Sequence, residues 1–272
     1  KTAYEIYQCD WSSDVCSSDL PPGDARRVLV LTHTGRDDAR EVALDVVRAL
    51  TGHGIIVRLL EPEASDLGLD PRSPAGSVEV HAAADAEARG DASLGCELAI
   101  VIGGDGTILR AAEITHASGT PILGVNLGHV GFLAEAEYED VDTVIDSVVH
   151  RRYTSEDRMT LDVVVYRDGE IVNRTFAVNE ASVEKAARER MLEVVVEVDG
   201  RPLSRWGCDG IVCATPTGST AYNFSAGGPV VWPQVEALLM VPISAHALFA
   251  RPLVVAPTDR KSTRLNSSNT DI

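Results

Sequence analysis

Short, wholly apolar runs separated by amphipathic stretches organise the first 150 residues of the chain. Val28, Leu29, Val30 and Leu31 form such a run, with β-branched members, and predict a buried strand. Val42, Val46, Val47 and Leu50 then recur at helical spacing, with Asp37 and Asp38 at the start and Gly52 or Gly54 at the end. Residues 55–60, 98–102 and 121–125 are further apolar runs and predict three more strands. Ile108, Leu109, Ala111, Ala112 and Ile114 predict a helix beginning near Thr107, and residues 139–150 another. Residues 62–95, rich in Pro, Gly, Ala and Asp, read as a variable connection with one short helix near 81–89, and 126–131 as a glycine-rich loop. Strands apolar on both faces, alternating with helices, predict a parallel sheet covered on both sides.

Near residue 151 the period changes. Leu161, Val163 and Val165 fall at alternate positions beside polar Asp162, as do Leu192, Val194, Val196 and Val198 beside Glu193, Glu197 and Asp199. Asp168-Gly169 and Asp199-Gly200 read as hairpin turns, so these strands are half-solvated and antiparallel. The fold expected is a Rossmann-like α/β domain over 24–150, followed by an antiparallel all-β sandwich over 151–258. Residues 1–20 and 259–272 carry no sustained periodicity and resemble translated sequencing-adapter sequence. They are expected to be non-native or disordered tails, and are set aside. The strand pattern is still running at Leu253, Val254 and Val255 when the last tail begins, so the β domain is expected to be incomplete.

Charge narrows the chemistry. The 272 residues carry a net charge of −17, which disfavours nucleic acid as a partner. A nucleotide site on such a chain has to be built from backbone N–H groups, a few arginines and a metal. Lysine occurs only at Lys1, Lys185 and Lys261, and no P-loop sequence is present. No apolar run approaches the roughly 18 residues that cross a bilayer, and the N-terminus has no secretory pattern. Cys9, Cys16, Cys96, Cys208 and Cys213 suit neither a zinc site nor a disulfide framework, so a reducing cytoplasm is expected.

The densest chemistry lies at Gly103, Gly104, Asp105, Gly106 and Thr107, between a predicted strand and a predicted helix. The paired glycines let the backbone turn sharply and a phosphate approach closely. The helix start turns free N–H groups and a positive dipole end toward that phosphate. Asp105, at the carboxyl end of a parallel strand, can take a proton from a hydroxyl or hold Mg²⁺. The spacing is not that of the dinucleotide fingerprint Gly-x-Gly-x-x-Gly.

These five residues resemble a sequence shared by NAD kinases, diacylglycerol and sphingosine kinases and, with Ser last, phosphofructokinases. The rest of the chain selects the first. The loop Asn126-Leu127-Gly128-His129-Val130-Gly131-Phe132-Leu133, the pair Asn179-Glu180 and the pair Asp209-Gly210 are similar to NAD kinase sequences. So are Thr215-Pro216-Thr217-Gly218-Ser219-Thr220-Ala221-Tyr222, His246-Ala247-Leu248 and Arg251-Pro252-Leu253. The likeness runs in order over about residues 26–258, and the composition is closest to actinobacterial members.

The resemblance implies phosphorylation of the 2′-hydroxyl of the NAD adenosine ribose, with ATP or polyphosphate as donor and Mg²⁺ or another divalent cation. It implies Asp105 as general base, with Gly106 and Arg110 in the same pocket, and Gly103, Gly104, Thr107 and His246 against phosphate. Asn179 is expected at the adenine edge and Glu180 at ribose hydroxyls. Arg190 and Asp209 are expected to contact NAD near a subunit interface of a homodimer or homotetramer. Thr217, Thr220, Ala221, Tyr222, Asn223, Phe224 and Ser225 are expected to wall the adenosine, with Thr217 or Ser219 as a helix N-cap. The site is expected between the two domains. Two rivals are a lipid kinase and a truncated, non-catalytic NAD(P)-binding protein.

Overall fold

The structure is a computed structural model. It describes residues 2–9, 25–33, 35–69, 77–83, 86–127, 136–137, 141–186, 191–246, 251–257 and 261–265. It divides into two compact units, residues 13–156 and residues 1–12 with 157–272.

In chain order the first elements are β1 (Thr2–Cys9), β2 (Arg27–Thr32), α1 (Asp37–Gly52), β3 (Ile56–Leu60), α2 (Glu61–Asp66), β4 (Val78–His81), α3 (Ala86–Asp91) and β5 (Leu98–Ile102). They are followed by α4 (Asp105–Thr115), β6 (Ile122–Asn126), β7 (Ala136–Glu137) and α5 (Val141–Val149). The strands of the first unit form one parallel sheet in the order β4-β3-β2-β5-β6-β7. Successive side chains of each apolar run point to opposite faces, and both faces are buried. Val28, Val30, Ile100 and Ile102 pack with Val42, Val46 and Leu50 of α1 and with Val144, Ile145 and Val148 of α5. Leu29, Leu31, Ala99 and Val101 pack on the other side with Ile108, Ala111 and Ile114 of α4. Each fully buried Leu or Ile here stabilises the unit by about 1.5–3 kcal/mol.

A buried ion pair ties the lower edge of this unit together. Arg26 Nη2 meets Glu97 Oε1 at 2.5 Å, and Arg151 Nη2 meets Glu97 Oε2 at 3.1 Å. The Arg26 guanidinium also donates to the Val148 and Val149 carbonyls at the end of α5.

Residues 62–95 hold more structure than their sequence suggests. In place of one helix near 81–89 there are α2, the strand β4 and α3. The four-residue β4 follows a Pro- and Gly-rich stretch, too short for a period to show. It is held at the sheet edge by Glu79, which pairs with Arg58 Nη2 at 2.8 Å and Arg27 Nε at 3.1 Å. Those arginines hold the Glu79 carboxyl below its usual range, against the opposing effect of burial, which is the largest single influence.

The second unit contains β8 (Thr160–Arg167), β9 (Glu170–Ala177), β10 (Glu180–Glu184), β11 (Leu192–Val198), β12 (Arg201–Cys208) and β13 (Gly210–Ala214). After a 3-10 turn at Thr217–Thr220 come α6 (Tyr222–Ser225), β14 (Leu238–Ile243), β15 (Leu253–Val255) and β16 (Lys261–Leu265). Two antiparallel sheets result, ordered β12-β11-β16-β1-β8-β9 and β10-β13-β14-β15. Leu161, Val194, Val196 and Trp206 of the first pack against Ile211, Cys213, Leu238 and Met240 of the second, which makes the expected sandwich. The hairpins turn at Asp168-Gly169 and Asp199-Gly200, all four residues with positive φ, as the Asp-Gly pairs imply.

Parts of the segments expected to be non-native or disordered tails are described as strands. Residues 2–9 and 261–265 are strands that pair with each other and lie between β8 and β11. Backbone pairing in an antiparallel sheet tolerates many sequences, so the lack of periodicity did not signal it.

Candidate active site

β2 and β5 lie side by side, but the chain leaves them in opposite directions, β2 toward β3 and β5 toward β6. A crevice opens at such a reversal beyond the carboxyl ends of the strands. The pairing runs from Val28 beside Leu98 to Thr32 beside Ile102, so the two strands end level. His33 N–H donates to the Ile102 carbonyl at 3.1 Å, and Gly103 N–H to the Val125 carbonyl at 3.0 Å.

Gly103 has φ of +155°, and a Cβ there would stand 2.5 Å from Thr107 Oγ1, so the tight turn excludes any side chain. α4 starts at Asp105, two residues earlier than expected, with Gly104 as its N-cap and no side chain capping it. That leaves the helix start to the pocket. A cavity of about 590 Å³ is lined there by Gly104, Gly106, Thr107 and Arg110, together with Thr32, His33, Gly35 and Arg36. Asp105 is half-buried beside this wall as the first residue of the helix. Sequence reasoning missed Thr32 at the end of β2 and His33, Gly35 and Arg36 after it. Their signal is positional, a strand end adjacent to the glycine loop, and it becomes visible only once the strand order is known. Arg36 also donates to the Leu127 carbonyl at 3.1 Å, which ties this wall to the start of the loop after β6. The rest of that loop, from Gly128, lies outside the described residues.

Arg110 is not simply an exposed helical arginine. Its Nη1 stands 2.7 Å from Oε1 of the buried Glu63. Neither Glu63 oxygen receives an aligned hydrogen bond, so the contact is electrostatic rather than a formed hydrogen bond.

In the second unit, Asn179, Glu180 and the run 215–222 come together. The Asn179 carbonyl accepts the Thr215 N–H at 2.9 Å. A Cβ on Gly218 would lie 2.0 Å from the Asn179 carbonyl oxygen, so only glycine allows this approach. The 3-10 turn is anchored by Thr215, whose Oγ1 donates to the Val178 carbonyl at 2.6 Å and accepts the Gly218 N–H at 3.0 Å. Thr217 and Ser219 therefore do not cap it, and Ser219 Oγ instead bonds Val231. Sequence reasoning placed no such role on Thr215.

Around this turn buried polar atoms stand without partners among the described residues: Asn179 Oδ1, Glu180 Oε2, Thr217 Oγ1 and Asn223 Oδ1. Burial pushes the Glu180 carboxyl up, while the Tyr222 backbone N–H partly offsets it. Burial and the neighbouring Glu184, to which the hydroxyl bonds, push the Tyr222 phenol up as well.

Other expected contacts fall differently. Asn223 is fully buried; its Nδ2 donates to the Ser219 and Pro229 carbonyls, which shapes the turn, while its Oδ1 stands without a partner among the described residues. Phe224 and Ser225 are exposed, while Thr220 and Ala221 are half-buried on the turn itself. Asp209 is held by Lys185 Nζ at 2.5 Å. The His246 side chain is exposed, and its backbone N–H donates to the Gly207 carbonyl. Arg190 lies outside the described residues, as do Ala247 and Leu248.

A glycine loop with a carboxylate at a sheet reversal, followed along the chain by a sandwich with a polar turn, defines a nucleotide-binding phosphotransferase. Residues 28–153 match the model of the ATP-NAD kinase N-terminal domain, and residues 178–272 that of the ATP-NAD kinase C-terminal domain. The chain is 60% identical over 233 residues to NAD kinase 2 of Streptomyces avermitilis, covering 86% of this chain and 74% of the relative. It is 54% identical over 238 residues to the NAD kinase of Mycobacterium tuberculosis, covering 85% and 76%. Its fold is similar to that of yeast NADH kinase complexed with NADH, with a TM-score of 0.75, 24% identity and coverage of 90% and 81%. It is also similar to an NAD kinase from Archaeoglobus fulgidus in complex with ATP, at 0.58, 24%, 91% and 86%. The chain belongs to the NAD kinase family, transferases that phosphorylate NAD. Neither the lipid kinase nor the non-catalytic reading is favoured by these matches.

Proposed function

We propose that this chain transfers the γ-phosphoryl group of ATP to the 2′-hydroxyl of the NAD adenosine ribose, with Asp105 as general base. The observation that carries the reading is the set of unpartnered buried polar atoms at Asn179, Glu180 and Thr217. Unsatisfied buried polar groups are costly, and a native chain keeps them where a ligand completes them. An amide that donates and accepts suits an adenine edge, and a carboxylate suits ribose hydroxyls. Thr220, Ala221 and Tyr222 supply backbone and a ring face beside them.

In the first unit, Gly103, Gly104, Gly106 and Thr107 offer the start of α4 to phosphate oxygens, and Arg110 adds charge. Asp105 takes the proton of the attacking hydroxyl. The hydroxyl oxygen bonds to the γ-phosphorus as the bond to the β-phosphate oxygen breaks, giving NADP and ADP. Positioning and charge neutralisation supply most of the rate. Among the described residues no group of three or more His, Cys, Asp or Glu is placed to hold a metal. Mg²⁺ carried by the phosphates needs only one or two protein carboxylates, a demand that Asp105 fits, and it would neutralise phosphate charge.

Incubation with NAD, ATP and Mg²⁺ should yield NADP, and polyphosphate in place of ATP tests the second donor. No NADP from ATP or polyphosphate would contradict the proposal. We further infer a cytoplasmic setting, supported by the free buried thiols of Cys96, Cys208 and Cys213. Among the described residues no helix is long and apolar enough to cross a membrane. Self-association is also proposed, with Arg190 and Asp209 near the interface. The exposed Phe224, Val230 and Trp232 support it, and sedimentation of the native chain against Trp232→Ser tests it.

A further inference from the structure

We propose that Glu63 is a positioning residue: from α2 it aims the Arg110 guanidinium into the phosphate pocket. The inference deepens the proposed function and rests on it. Glu63 is the third residue of a helix whose N-cap is Leu60. A glutamate at that place ordinarily reaches back to the N–H of its own N-cap. Here neither carboxylate oxygen makes any hydrogen bond, although the residue is 1% exposed. A buried carboxylate that neither caps its helix nor reaches water is costly unless a charge balances it. The balancing charge is Arg110, with Nη1 at 2.7 Å from Oε1 and a side chain 40% exposed to the pocket side.

The two partners are unequal, and the inequality is what gives the pair its use. Glu63 is immobilised by packing, whereas Arg110 has a long, flexible side chain one turn into α4. The carboxylate engages one end of the guanidinium. Nη2 and Nε have no partner among the described residues, so the planar fork keeps donors for a phosphate. Without Glu63, Arg110 would sample solvent and lose this orientation before binding.

The test uses the full chain with Glu63→Gln, Arg110→Gln and the double variant. NADP formation is followed with ATP varied at saturating NAD, then with NAD varied at saturating ATP. The arms show whose phosphates the pocket holds. Glu63→Gln should raise one of the two KM values about tenfold, the size of one charge-assisted hydrogen bond, with kcat within about twofold. Arg110→Gln should raise the same KM, and the double variant should be no worse than Arg110→Gln alone. A lower melting temperature with both KM values unchanged would assign Glu63 a purely structural role and overturn the proposal, as would additive effects. If Glu63→Gln does not fold, Glu63→Asp, which withdraws the charge by one methylene, should show the same rise, and an unchanged KM overturns the proposal. If the native chain forms no NADP, the function reading fails by itself. Calorimetric Kd values of ATP and NAD for native and Glu63→Gln protein then decide the role of Glu63, equal values overturning it.

Discussion

The glycine loop of the first unit and the Asn179–Glu180 turn of the second are built for binding by opposite means in the proposed function. The loop offers backbone. Its cavity lies beside a helix start that no side chain caps, so backbone amides are among its donors. The turn offers side chains, buried and left with acceptors unused. An open ring of amides accepts any phosphate, whereas a buried amide and carboxylate accept only a group of matching shape. The proposed function therefore assigns phosphate chemistry to one unit and the choice of substrate to the other.

The sharpest break between the two should come from Asp105→Asn. If the loop holds only chemistry, NADP formation falls by about 10²–10⁴-fold in a steady-state assay while the melting temperature is unchanged. Gly218→Ala should be the largest structural lesion in the turn. Its new Cβ meets the Asn179 carbonyl at 2.0 Å, and overpacking of this kind costs about 1–3 kcal/mol in chemical denaturation. Gly106→Ala, whose Cβ would meet nothing within 4 Å, is the matched substitution in the loop and should leave stability nearly unchanged.

Glu180→Gln separates stability from recognition. The carboxyl of Glu180 is raised in the folded protein by burial. A raised group binds more protons folded than unfolded, so its contribution is fully present below the ordinary carboxylate range and is lost as pH rises through the folded value. At neutral pH Glu180→Gln should melt above the native chain in the absence of NAD, and that gain should vanish in acid. Its NAD affinity should fall about tenfold or more, because a charged hydrogen-bond partner is gone. Tyr222→Phe removes only the bond to Glu184 at an exposed residue, and should change stability by less than about 1 kcal/mol.

The first unit was largely legible because its information is local. Each strand of the sheet that reads as a continuous apolar run, β2, β3, β5 and β6, was expected close to its observed bounds. Asp-Gly pairs likewise announced both hairpins. What escaped depended on non-local pairing. β4 is an edge strand set by Glu79 with Arg27 and Arg58 rather than by a period. The His33 and Arg36 wall follows from strand order, and the Glu63 contact with Arg110 joins residues far apart in sequence. In the turn, the residue types were legible by resemblance, but their division of labour was not. The Asn223 Nδ2 is taken by the Ser219 and Pro229 carbonyls while its Oδ1 stays unused, and Thr215, not Thr217, holds the 3-10 turn, which leaves Thr217 Oγ1 unused.

Calorimetric titration of NAD into Asp105→Asn and Glu180→Gln, on the same preparations assayed for NADP, tests the division most directly. The account predicts that Asp105→Asn binds NAD within about threefold of the native chain yet forms almost no NADP, while Glu180→Gln binds it about tenfold more weakly or worse. Native affinity in Glu180→Gln, or native turnover in Asp105→Asn, would contradict it.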